Sequence, residues 1–171
     1  MVLSGICCGL IMNGKSQHVY FMRQAIQLSR ASLRTNAGGP FGAVIVKNGD
    51  VIAHGSNCVT STNDPTAHAE IIAIRAACHA LGTFHLQGCA IYASCEPCPM
   101  CLAAIYWARI DKIYYANTRR DASHIGFDDG VFYEELTKPV SKRTLPMEQV
   151  LRDEALPVFQ VWRNKEDRVH Y

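Results

Sequence analysis

A chain of 171 residues has length for one domain with a substantial core, and its 49% hydrophobic and 19% charged composition excludes a disordered or membrane-embedded protein. The formal charge is +2 with lysine and arginine scattered; the one basic pair, Arg119-Arg120, is followed at once by Asp121, so no basic stripe points to a nucleic-acid partner. Eight cysteines invite a disulfide framework, but the chain is long and lacks a convincing secretion signal, which predicts a cytoplasmic protein with reduced thiols.

Residues 2–12 form a short apolar run containing Cys7 and Cys8, without a basic start and too short to span a membrane. Residues 1–17 are read as an N-terminal extension and 18–171 as a single domain. From 19 to 33, Met22, Ala25, Ile26, Ser29 and Leu33 recur at the spacing of an amphipathic helix, ended by Asn36 and Gly38-Gly39-Pro40. Residues 41–46 are almost continuously apolar, as in a strand covered on both faces. Asn48-Gly49 then predicts a hairpin into residues 51–53. A polar loop over 58–63 leads to a helix over 67–81 stopped by Gly82. Residues 89–94 read as a strand, Pro97 suits the first turn of a helix to about Ala108, and 112–116 form the next strand. Strand, helix and strand at this spacing imply a parallel crossover. After Thr118 the pattern weakens to a Gly126–Gly130 loop, a polar proline-punctuated stretch and a final helix over 157–167.

Two short motifs carry chemistry. His68-Ala69-Glu70 and Cys98-Pro99-Met100-Cys101 can supply one nitrogen and two sulfurs to a tetrahedral zinc, leaving the fourth position open. Residues two apart do not share a face within a helix, so His68 and Glu70 can act together only at a helix N-terminus. Cys98 and Cys101, three apart, share a face in a first turn. Two helix N-termini at one metal would bring two positive dipole ends to it. The combined H-x-E…P-C-x-x-C pattern is the signature of zinc-dependent nucleobase deaminases. In that chemistry zinc activates a water, and Glu70 relays its proton to a ring nitrogen and then to departing ammonia. Cys95 precedes Pro97 and is assigned as a residue lining the site rather than a ligand.

The chain resembles the bacterial guanine deaminases of the cytidine-deaminase-like zinc hydrolases. The likeness rests on residues 38–46, 63–70 and 94–101, and further on Ala104-Ile105-Tyr106-Trp107-Ala108-Arg109, Ile125-Gly126-Phe127-Asp128-Asp129, Phe159-Gln160-Val161-Trp162-Arg163-Asn164 and Tyr171. It covers nearly everything from His18 onward. The resemblance implies a three-layer α/β/α fold with a central mixed five-stranded sheet, a zinc ion, and a free purine base, guanine, as substrate. It implies that Asn57 hydrogen-bonds the purine, with Phe41 stacking on it and Ala69 beside it. It also implies that Asp129 meets the amino edge and shares in proton handling, and that Trp107 walls the pocket. The family's C-terminal segment, here about 157–171, crosses to the other subunit of a domain-swapped homodimer and brings Tyr171 to the substrate.

Plainer readings stand beside these. His68, Cys98 and Cys101 with Cys95 would make a closed structural zinc site in a binding module, although Glu70 then has no task. A redox CxxC leaves His-x-Glu without a role. Guanosine, cytosine or tRNA adenosine are the other substrates open to this superfamily. On pattern alone, Trp107 and Phe41 are packing residues, Asp128 and Asp129 a solvated turn, and Tyr171 a fraying terminus.

Overall fold

The computed structural model describes residues 14–171, so the apolar run over 2–12 with Cys7 and Cys8 lies outside the described residues. Helix α1 (Gly14–Thr35) buries Phe21, Ala25 and Ser32, one stripe at helical spacing. It runs through the expected boundary at residue 18. The reason is His18, whose Nδ1 lies 2.7 Å from the Tyr92 hydroxyl and whose ring packs 4.4 Å from that of Tyr114.

Strand β1 (Gly42–Lys47) turns through Asn48 (φ 53°) and Gly49 (φ 88°) into the antiparallel β2 (Asp50–Ser56), with Lys47 opposite Asp50. Two successive positive φ values match the strand twist, which is why Asn-Gly serves there. Strand β3 (Cys89–Cys95) pairs antiparallel with β1 and parallel with β4 (Lys112–Asn117), so the sheet order is β2-β1-β3-β4. The unbroken apolar run of β1 has a simple cause. Ala43 and Ile45 face a core shared with Ala69, Ala73, Ala77 and Ile105, while Val44 and Val46 face Phe21, Ala25 and Tyr92 of the opposite layer.

The first of those layers consists of α3 (Ala69–Leu81) and α4 (Pro99–Trp107); α1 forms the second. Gly55 brings β2 and α3 together, because a Cβ there would lie 2.3 Å from the Ala69 carbonyl oxygen and 2.6 Å from the Ala73 nitrogen. The start of α3 is thereby pressed against the sheet.

Several elements depart from expectation. The loop over 58–63 contains one helical turn, α2 (Val59–Thr62). Among the described residues the sheet has four strands rather than five. Beyond β4 the chain is helical, because Thr118 and Asp121 close a reciprocal capping box that starts α5 (Arg119–His124). Then come α6 (Gly130–Thr137), a 3-10 turn (Val140–Lys142) and α7 (Arg152–Asn164). Helix α7 begins before Pro157 and contains it, with Asp153 and Glu154 favouring its positive end. No residue of α7 is buried, so water can satisfy the carbonyl that proline leaves unpaired. No helix among the described residues is long and apolar enough to cross a membrane.

Candidate active site

Two helix N-termini meet at one point. His68 caps α3 in extended backbone (φ −68°, ψ 156°) and places Glu70 in the first turn. Cys98 caps α4 in nearly the same conformation (φ −65°, ψ 168°), with Pro99 rather than Pro97 at the first helical position and Cys101 in the first turn. The expectation that Pro97 opens this helix is corrected: a helix through Cys98 would turn its sulfur away, whereas the extended cap aims it at His68. Neither cap side chain is spent on a capping hydrogen bond.

The His68 Nδ1 lies 3.6 Å from the Cys98 sulfur and 3.5 Å from the Cys101 sulfur. Nitrogen at about 2.05 Å and sulfur at about 2.3 Å from a tetrahedral zinc would lie about 3.6 Å apart, so these three donors fit that ion. Among the described residues they form the group with metal-ligating geometry. Cys95 is not part of it; its thiol points to the Thr118 carbonyl at 3.6 Å.

Charge is concentrated here. Hydrogen bonds accepted from Cys101 first and then from His68 pull Cys98 down to about 4, while the bond that Cys101 donates to Cys98, with burial, pushes Cys101 up. The bond to Cys98 also raises His68. The thiolate and the buried carboxyl suit a cation, whose binding would release the protons held there, while the two helix N-termini favour the negative sulfurs that would hold it. Glu70 is 7% exposed, and its Oε2 lies 3.5 Å from the Cys101 sulfur. Burial raises its pKa and the negative Cys98 sulfur adds to that, as befits a group that takes and returns a proton.

A cavity of about 410 Å³ opens over this centre, lined by Phe41, Asn57, His68, Glu70, Cys98 and Asp129. The buried Asn57 is fixed in orientation, since its Oδ1 accepts the backbone N–H groups of Gly39 and Val59, both at 3.2 Å. Its amide N–H₂ is left as a donor. Gly38 makes room for this, because a Cβ there would sit 2.1 Å from the Asn57 Oδ1. Asp129 caps α6, and burial, followed by the Cys98 charge, raises its pKa.

Three assigned residues lie elsewhere. Ala69 is fully buried in the core beneath the site. Trp107 and Tyr171, with ring centroids 6.0 Å apart, line a separate groove with Phe84, Ile74 and Met100. Within one chain neither lines the cavity. Phe127, Phe132, Glu96 and Arg119 do line it and were not singled out by sequence reading. Phe127 packs edge-on against Phe41, centroids 4.9 Å apart; its sequence signals were its place in the Gly126–Gly130 loop and in the Ile125–Asp129 segment of the resemblance.

Residues 15–117 match the family model for the cytidine and deoxycytidylate deaminase zinc-binding region. The chain is 51% identical to the guanine deaminase of Bacillus subtilis (strain 168) over 154 residues, 90% of this chain and 99% of that one. The X-ray structure of that enzyme superposes with a TM-score of 0.87 at 50% identity, over 94% of this chain and 99% of that chain. A tRNA-specific adenosine deaminase of Aquifex aeolicus (strain VF5) is 40% identical over 97 residues, 57% of this chain and 64% of the other. The crystal structure of NE0047 in complex with 2,6-diaminopurine matches with a TM-score of 0.61 at 34% identity, over 64% and 61% of the two chains.

Proposed function

We propose that this chain, which belongs to the cytidine and deoxycytidylate deaminase family of zinc-binding enzymes, hydrolyses guanine to xanthine and ammonia. The observation that carries the substrate is the extent of the likeness. Identity to a guanine deaminase continues over 90% of the chain, whereas the adenosine deaminase similarity spans 57% of it. The segments that the cavity adds to the shared centre therefore follow a guanine-type enzyme.

His68, Cys98 and Cys101 would hold the zinc, which supplies a Lewis acid that makes water a better nucleophile at neutral pH. Glu70 accepts one proton of the attacking water and passes it to a ring nitrogen; it then takes the remaining proton from the newly added hydroxyl and delivers it to the amino group, so that the carbon–oxygen double bond forms as the carbon–nitrogen bond breaks. Water and guanine thus become xanthine and ammonia. Asn57 donates its fixed amide to an acceptor on the ring, and Phe41 stacks on the planar base. Asp129 accepts from the amino edge and shares in proton transfer.

The same reading makes residues 157–171 a lid supplied by a second copy in a domain-swapped homodimer. It is supported by a final helix with no buried residue and by Trp107 and Tyr171 lining a groove outside their own chain's cavity. A cytoplasmic location belongs to the same reading, and the six cysteines that stand as free thiols among the described residues support it.

Ammonia release is the test, with guanine, guanosine, adenine and cytosine offered in turn to the zinc-loaded protein. Release from guanine above the others is expected. Release from guanosine alone, or from cytosine alone, would overturn the substrate while keeping the chemistry.

A further inference from the structure

Helix α6 presents Asp129 to the cavity, yet none of its residues is buried, so core packing does not set its rotation. Something else must hold Asp129 in register with the metal ligands. Tyr133 lies four residues after Asp129 and so faces the same way along the helix. Over its ring, at 4.7 Å, sits the guanidinium of Arg119. Arg119 opens α5, lines the cavity, and forms no ion pair among the described residues.

The start of α5 is in turn tied to the ligand loop. Glu96, two residues before Cys98, accepts the Arg119 backbone N–H through its Oε2 at 3.0 Å. Its own N–H donates to the Asn117 carbonyl at 2.8 Å, and the Cys95 thiol points to the Thr118 carbonyl at 3.6 Å. The capping box of Thr118 and Asp121 stiffens the same turn.

We infer that Arg119 and Tyr133 are positioning residues, a stacked clamp anchored by Glu96 that couples the Asp129-bearing helix to the cysteine ligand loop. The inference rests on the reading of Asp129 as a substrate-facing group. Arg119 suits this task because a planar guanidinium covers an aromatic face while its charge stays directed toward the cavity. That charge also opposes the effect of burial on the Asp129 carboxyl. A clamp made by stacking depends on the ring of Tyr133 and not on its hydroxyl.

The experiment compares Tyr133→Ala, Tyr133→Phe, Arg119→Ala and Asp129→Ala as zinc-loaded full-length proteins, with guanine as substrate. Tyr133→Ala and Arg119→Ala are expected to raise KM and lower kcat/KM by about 10- to 100-fold, the scale of a misplaced catalytic group. Zinc content and thermal midpoint should stay at the parent values, and Tyr133→Phe should restore the parent kinetics. Tyr133→Ala added to Asp129→Ala should cause no further loss, because the clamp acts through that carboxylate. Parent kinetics in Tyr133→Ala alongside an impaired Asp129→Ala would overturn the clamp alone, as would a full additional loss in the double variant. An Asp129→Ala protein as active as the parent would remove the premise instead.

Discussion

The metal-binding half and the C-terminal half of this chain are held by different means. Up to Ala108 the chain is packed: α3, β3 and α4 bury Ala69, Ala73, Ala77, Ile91, Ala93, Cys101 and Ile105, and two helix caps converge between them. No residue after Ala108 is buried. That second stretch nevertheless carries Asp129 in the cavity and leaves Phe159, Val161 and Tyr171 exposed at 74%, 70% and 68%. The candidate metal ligands thus lie in a packed region, whereas the later stretch adds cavity-lining residues and leaves its apolar side chains exposed. An amphipathic helix with no buried face is stable where another chain covers it.

The sharpest separation of the two regions is Glu70→Gln. The variant keeps all three ligands, so zinc content should match the parent while kcat falls about 10²- to 10⁴-fold, as expected for loss of a general acid–base. Metal analysis beside steady-state kinetics checks it, and a nearly normal rate at full zinc occupancy would refute the role of Glu70.

Removing residues 157–171 tests the division from the other side. The shortened protein should bind zinc as before and lose most of its deaminase activity, since the centre lies wholly before that segment. Full activity in it would show that the tail is no lid. Gly38→Ala should disturb both binding and stability. The added methyl would lie 2.1 Å from the Asn57 Oδ1 and 2.5 Å from its backbone carbonyl oxygen, so steady-state kinetics should show KM raised about tenfold or more and a thermal melt should show a lowered midpoint.

Glu135→Gln should have the smallest effect. Glu135 is held down to about 2 by Lys138 first and then by Thr144. A carboxyl depressed in the folded state stabilises it above the unfolded value and loses that contribution as pH falls from about 4.5 toward 2. Calorimetry should show a slightly lower thermal midpoint for the variant at neutral pH and a narrowing difference as the solution is acidified through that window. A difference that grew with acidification would contradict the sign.

Most of the fold's framework was legible because its signals are local. Asn48-Gly49 demands a tight turn, Gly82 ends α3 at φ 62°, and β1 could be read as doubly covered from its composition alone. Boundaries slipped where a distant partner decides them. His18 extends α1 because Tyr92 lies across the sheet, and α7 includes Pro157 because nothing buries the unpaired carbonyl. Within the site, Phe127, Arg119 and Glu96 were missed. Each acts through a residue remote in sequence, Phe41, Tyr133 and the start of α5 respectively.

Spacing by itself pointed to His68, Cys98 and Cys101 as a group that could hold a metal with Glu70 beside it, although Cys95-x-x-Cys98 has the same spacing, and that signal lives within a few residues. The resemblance also implied Asn57 and Asp129 as substrate-facing residues, and both line the cavity. Tertiary structure alone decided that Cys98 caps its helix instead of lying in it, and that the Asn57 oxygen is occupied, leaving an N–H donor for the ligand. It also decided that Trp107 and Tyr171 share a groove apart from the cavity. The orientation of a side chain depends on what closes around it, and those neighbours come from other parts of the chain.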